Sequence, residues 1–223
     1  MTLHWRLALL AAACATAFGG TWVVPNMNTA GNQAVTIGTK AKRLQQTVGS
    51  GQFPGAMVIT GIRLRAAPGT GPVSWNVPSL MVTVSTTQAY PNTNNGHTLP
   101  STTFASNTGP DVKTVYNAAL SASSTGCTGG GPCPFDIAIP FNAPFSFDPA
   151  KGRLLVDIVV AAATGTPTGS LDAAAFPDST SSTTATVSGD PTQTTGSLSL
   201  NAWCWDSTPP RRSSMRSRTR PAT

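Results

Sequence analysis

Residues 135–162, FDIAIPFNAPFSFDPAKGRLLVDIVVAA, decide the fold class. Phe135, Ile137 and Ile139 fall on one side of the first run and Asp136 and Ala138 on the other, the period of two that marks a half-buried strand. RLLVDIVVAA is an apolar run dense in branched side chains, which suits a strand covered on both faces. Between them, Asp148-Pro149-Ala150-Lys151-Gly152 places Pro and Gly where a tight reversal wants them, so FSF and RLLVDIVV are expected to pair as a hairpin. Asp148 is then a turn starter, and Asp136 and Asp157 are strand residues facing solvent.

The same period extends outward. In MVITGIRLR (57–65) the aliphatic residues face inward, with Arg63 and Arg65 expected in water. SLMVTVSTT (79–87) sets Leu80, Val82 and Val84 against Met81, Thr83 and Ser85, fairly apolar on both faces and therefore a central strand. Asn94-Asn95-Gly96 tolerates positive φ and marks a turn. Within 178–195, Thr184, Thr186 and Ser188 alternate as a solvent-facing edge strand, and GSLSLN (196–201) is its return. Only residues 48–56 and 116–121 suit a short helical turn. Without strand-helix alternation a parallel α/β sheet is excluded, and the expectation is an all-β fold: an antiparallel β-sandwich, jelly-roll-like, of about ten strands.

A chain of 223 residues is long enough for one sizeable core. At its start, Arg6 precedes an apolar run from Leu7 to Ala15 and then small residues, the layout of a signal peptide over residues 1–17. That run is too short to span a bilayer, and no later segment is apolar enough to do so. Ala11-Ala12-Ala13-Cys14 resembles a weak lipobox, which makes lipidation at Cys14 the rival reading. Residues 18–202 are then one sandwich domain. Residues 203–223, rich in Arg with Trp203, Cys204 and Trp205 side by side, read as a basic tail, disordered or the product of a frameshift near Ala202. Shifting the frame there converts Trp-Cys-Trp to Val-Leu-Gly, which would continue a strand.

Charge and composition narrow the function. The formal charge is +6, but five of the fourteen basic residues are the arginines at 211, 212, 216, 218 and 220. Between residues 18 and 205 eight basic face seven acidic residues, so the body is nearly neutral and a nucleic-acid partner is not expected. The chain has no glutamate, a poor inventory for acid-base chemistry. His97 sits in the turn-rich NTNNGHTLP and reads as a surface residue, with no nucleophile elbow in the sequence to serve. Two of Asp136, Asp148 and Asp157 could approach as glycosidase carboxylates do, but each already has a structural role. No catalytic residue and no metal ligand is assigned. Bound calcium, with ligands unassigned among the loop residues Asp111, Asp172, Asp178 and Asp190, is the one cofactor left open.

Cys127 and Cys133 flank the short loop Thr128-Gly129-Gly130-Gly131-Pro132, whose glycines let the sulfurs meet; in an oxidising compartment a disulfide is expected. Trp75, in GPVSWNVPS, with Tyr90 and Trp22 is a candidate platform for stacking sugar rings, against the plainer reading of Trp as core packing.

RLQQTV (43–48), VITGIRLR (58–65), VTVSTT (82–87), STTFASNTGPDVKTVYNAAL (101–120) and FDIAIPFNAPFSFDPAKGRLLVDI (135–158), in that order, resemble a group of uncharacterised secreted bacterial proteins of the PEP-CTERM, exosortase-sorted type. The resemblance covers about residues 39–158. It implies export, a β-sandwich and attachment or release at the cell envelope, and no enzymatic activity. The chain departs from the pattern at its end, with no Pro-Glu-Pro motif and no apolar helix followed by a basic stop.

The function expected is therefore a secreted, non-catalytic cell-surface or extracellular-matrix component, with polysaccharide or other envelope proteins as partners. The alternatives are a carbohydrate-binding module using exposed aromatics and a hydrolase whose site has no sequence signature.

Overall fold

The computed structural model describes residues 21–26, 29–35, 40–162 and 169–207. Residues 1–17, expected as a signal peptide, with Cys14, and the arginine cluster at 211–220 lie outside the described residues. Within them the chain is all-β and antiparallel, and its helical turns are three short 3-10 segments at Ser50–Gln52, Asn94–Gly96 and Phe104–Asn107. The helical turn expected within 48–56 is present, whereas 116–121 belongs to a strand.

Thirteen strands are described: β1 (Val23–Val24), β2 (Gln33–Val35), β3 (Lys42–Val48), β4 (Met57–Leu64), β5 (Val73–Thr87), β6 (Lys113–Ser124), β7 (Ile137–Phe147), β8 (Arg153–Ala162), β9 (Leu171–Ala175), β10 (Thr184–Gly189), β11 (Ser197–Ser199), β12 (Asn201–Trp203) and β13 (Trp205–Ser207). They form a six-stranded sheet in the order β11-β10-β3-β8-β5-β6, a four-stranded sheet β1-β13-β4-β7 and a three-stranded sheet β12-β9-β2. Inner faces of the two larger sheets share one apolar core, consistent with a β-sandwich. Leu80, Val82, Leu154, Val156 and Ile158 come from one side, and Ile59, Ile62, Leu64, Ile137 and Ile139 from the other. Each such side chain contributes about 1.5–3 kcal/mol by leaving water.

Bulges keep the apolar residues on that face. In β5 the buried apolar residues are Val73, Trp75 and Val77, then Leu80, Val82 and Val84. The parity changes because the pairing with β6 shifts register between Val77 and Leu80; one extra residue flips the following side chains to the other face, and here returns them to the core.

The FSF and RLLVDIVV segments do not pair. β7 pairs with β4, and β8 lies between β3 and β5 in the other sheet. The turn itself is as its sequence requires, with the Lys151 amide donating to Asp148 O at 3.0 Å and the Ala150 amide to Asp148 Oδ1 at 3.0 Å. It carries the chain across the sandwich as an arch rather than back along one sheet, because β8 buries both faces only in the larger sheet.

Residues 184–189 and 197–199 are strands, as expected, but β10 is interior: Thr184 and Thr186 are buried and β11 takes the edge. The described sequence continues as structure past Ala202. Trp203, Cys204, Trp205, Asp206 and Ser207 are all buried. β13 pairs with both β1 and β4, and β12 pairs with β9. Residues 203–207, expected in the basic tail, thus lie in β12, β13 and the link between them. Residues 208–223 lie outside the described residues.

The sulfurs of Cys127 and Cys133 are bonded, with Cα atoms 5.6 Å apart, and Cys133 joins the core. No helix among the described residues is long and apolar enough to cross a membrane.

Candidate functional site

The 25-residue connection from β5 to β6 (88–112) folds over the outer face of the large sheet. Its anchor is a polar network. Gln45, on β3, donates from Nε2 to Phe104 O at 3.1 Å and to Asp157 Oδ2 at 2.9 Å. Asn107 donates from Nδ2 to Gln45 Oε1 at 3.0 Å and to Ser101 O at 2.8 Å. Arg43 grips Asp157 at 2.6 Å and lays its guanidinium 4.5 Å above the Phe104 ring. Buried amides are stable only when their bonds are made, and this cluster makes them.

Earlier in the same connection, the Tyr90 amide donates to Thr98 O at 3.1 Å and the His97 amide to Asn94 O at 3.1 Å. Asn95 takes φ of 56° and Gly96 φ of 74°, the left-handed turn that Asn-Asn-Gly permits. The segment is tied to the strand-poor stretch before β10, where Asn92 and Asn94 donate to Ser182 O and Thr180 O. The result stacks the His97 ring on Tyr90, centroids 3.4 Å apart. Arg153, the first residue of β8, places its guanidinium 3.1 Å from the same Tyr90 centroid. Two groups so close cannot share one face, so the aromatic ring is sandwiched between imidazole and guanidinium.

Open concavities surround this stack. One of about 410 Å³ is walled by Gln88, His97 and Asn107. A second of about 290 Å³ reaches Ser50, Asn95, His97 and Arg153. A third of about 270 Å³ lies between Ser50, Gln88, Lys151 and Arg153. Arg153 is 8% exposed, and burial pushes its pKa below the usual guanidinium range.

The sequence-derived candidates are placed elsewhere or otherwise than expected. Trp75 is 2% exposed, a core residue within β5 rather than a loop platform. Tyr90 is half-buried with both ring faces occupied, so it offers no face to a sugar. Trp22 is half-buried against the core cluster, with its backbone carbonyl accepting from the Ser207 amide at 2.9 Å. His97 is half-buried rather than exposed.

Seven of the eight aspartates accept a side-chain hydrogen bond or ion pair, whereas Asp136 is exposed on the way into β7. Asp172, expected in a loop, lies in β9 and bonds Arg65 Nε at 2.6 Å, while the Gly31 amide donates to both its oxygens. Asp157, expected in solvent, is buried under Arg43 and Gln45. Asp111 accepts from the amide and hydroxyl of Thr86 at 2.7 Å each. Asp190 accepts from the amide and hydroxyl of Thr192. The Thr180 hydroxyl, with the Ser181 and Thr180 amides, holds the Asp178 carboxyl down to about 2. Among the described residues no three His, Cys, Asp or Glu side chains gather as a metal site.

Arg65, expected in water, is buried beside Phe135, 4.6 Å from its ring. Arg63 pairs with Asp206 through two bonds of 2.7 and 2.6 Å. Burial nonetheless raises the Asp206 carboxyl, outweighing the lowering by Arg63. Cys204 sits free and buried near Arg65 and Asp172, its thiol pushed up to about 12 chiefly by desolvation.

Arg153, Gln45 and Asn107 were not legible as site residues. The signals available were a cation at the head of an apolar strand and two adjacent glutamines, Gln45 and Gln46, in a strand that must bury both. Compared with protein-family models, curated proteins and solved structures, the chain has no match in any of the three.

Proposed function

We propose that this chain is an exported, non-catalytic component of the cell surface or extracellular matrix, a jelly-roll-type sandwich whose partners are polysaccharide or other envelope proteins. The observation that carries this reading is the use made of the carboxylates. Asp157 and Asp206 are each held by an arginine of a neighbouring strand and Asp172 by Arg65, the residue that follows β4, and Asp111, Asp178 and Asp190 each accept bonds from nearby Thr residues. A general acid or base needs a carboxyl group aimed at open space with a perturbed pKa suited to proton transfer. Spending the acids on strand pairing favours a scaffold over a reaction centre.

The Cys127–Cys133 bond supports the same reading, since such bonds persist in oxidising compartments. So does the resemblance to exosortase-sorted proteins, which implies envelope attachment or release. The test is to express the full chain with an internal epitope in a bacterial host and add protease to intact cells. The epitope is expected in the medium or on the surface, where protease removes it. An epitope that stays in the cytoplasm, with Cys127 and Cys133 reduced, would overturn the proposal.

A further inference from the structure

Four arginines lie among the described residues, and three have an aspartate: Arg43 with Asp157, Arg63 with Asp206 and Arg65 with Asp172, each at 2.6 Å. Arg153 has none among the described residues, although it is more buried than Arg43 or Arg63. Its Nη1 donates to Gln88 O and Gln88 Oε1 at 3.4 and 3.3 Å, both long for a charged donor. The Tyr90 ring below offers its negative face, which offsets part of the charge. A guanidinium carries five donors in a planar fork, and this one is left without an anion to fill it.

The surroundings supply what such an anion would need. Two adjoining concavities, of about 290 and 270 Å³, share Ser50, Tyr90 and Arg153 in their walls. Lys151 lines the second and is exposed, adding a second positive charge. His97 lines the first, and its Nδ1 is shielded from solvent with no hydrogen-bond partner. Neighbouring carboxylates are turned to local amides, Asp148 to Ala150 and Asp178 to Thr180 and Ser181. Burying a cation without a counter-charge is costly, and a neutral side chain would fill the position more cheaply unless the charge is used.

We propose that the Arg153–Lys151–His97 surface is a binding site for an oxyanion group, carboxylate or phosphate, carried by a small polar ligand. The flat fork of Arg153 takes two oxygens, Lys151 adds a flexible contact, and the Ser50 and Gln88 side chains line the wall against which the rest of the ligand lies. This site stands independently of the surface role proposed above, since it requires neither export nor a matrix.

The test uses the full oxidised chain with three probes: inorganic phosphate, a galacturonic acid trimer and a neutral galactose trimer. Binding is read from the His97 ring resonances and from the thermal midpoint. At least one anionic probe is expected to shift both, and the neutral trimer neither; which anion binds separates a phosphate from a carboxylate ligand. Lys151→Glu, at an exposed turn position, is expected to weaken that binding at least tenfold. Arg153→Gln is expected to abolish it. If neither anion moves the His97 signals, if the neutral trimer binds as well, or if Lys151→Glu leaves the affinity unchanged, the site is not an oxyanion site.

Discussion

Arg65, the residue after β4, and Asp172 of β9 meet at 2.6 Å with side-chain exposures of 4% and 0%, 107 residues apart in the chain. Around this pair two further segments converge. Arg65 Nη2 donates to Thr29 O at 2.8 Å, the Gly31 amide donates to Asp172, and the Cys204 amide donates to Asp172 O at 3.0 Å. A buried ion pair adds little net stability, but removing one partner strands the other charge in a dry site. The pair therefore fixes which strands meet, and it does so with residues that read in sequence as solvent-facing.

Trp75 distinguishes core packing from ligand stacking. Trp75→Ala is expected to destabilise the protein by about 3–5 kcal/mol, the usual cost of emptying a buried aromatic site. Chemical denaturation of the variant measures this. A loss under about 1 kcal/mol would mean that the ring is not buried as described.

Cys204 is expected to be inert in the native state. Its thiol is fully buried and its pKa is pushed up to about 12, so the nucleophilic thiolate is scarce at neutral pH. A thiol reagent should label it only in denaturant. Rapid labelling of the folded chain would contradict the buried placement of 203–207.

Asp178 gives the fold an acid limb. Its folded pKa, about 2, lies below the ordinary carboxylate value, so its contribution is present above that ordinary value and is lost as pH falls toward 2. Asp206 acts in the opposite direction: its raised pKa means that protonation on acidification favours the folded state. The stability difference between wild type and Asp178→Ala should be constant near neutrality and close as pH approaches 2. A difference that widens on acidification would contradict the bonding of Asp178 to Thr180 and Ser181.

Local physics made part of the fold legible. The two-residue period placed the core residues of β4, β5 and β7, the Asn-Asn-Gly turn was readable from backbone freedom, and the glycine loop announced the disulfide. Partner choice was not readable. Asp148-Pro149-Ala150-Lys151-Gly152 specifies a reversal, but whether the flanking strands pair depends on β3 and β4, about a hundred residues earlier. Arg63 and Arg65 looked solvent-facing because alternation was the only local signal, while Asp206 and Asp172, which cover them, lie 143 and 107 residues away. Trp203 to Asp206 looked foreign by composition for the same reason, since the surfaces they complete are built by β1, β4 and β9. The Tyr90 stack was half visible: Tyr90 and His97 were singled out separately, whereas Arg153 comes from another strand.

The buried acids serve to fix which segments meet, and a double-mutant cycle on Arg65 and Asp172 tests this most directly. Unfolding free energies of wild type, Arg65→Met, Asp172→Asn and the double variant would be measured by denaturant titration. Each single change is expected to cost roughly 3–5 kcal/mol, and the double change clearly less than their sum. Single variants as stable as wild type, or costs that simply add, would contradict the claim.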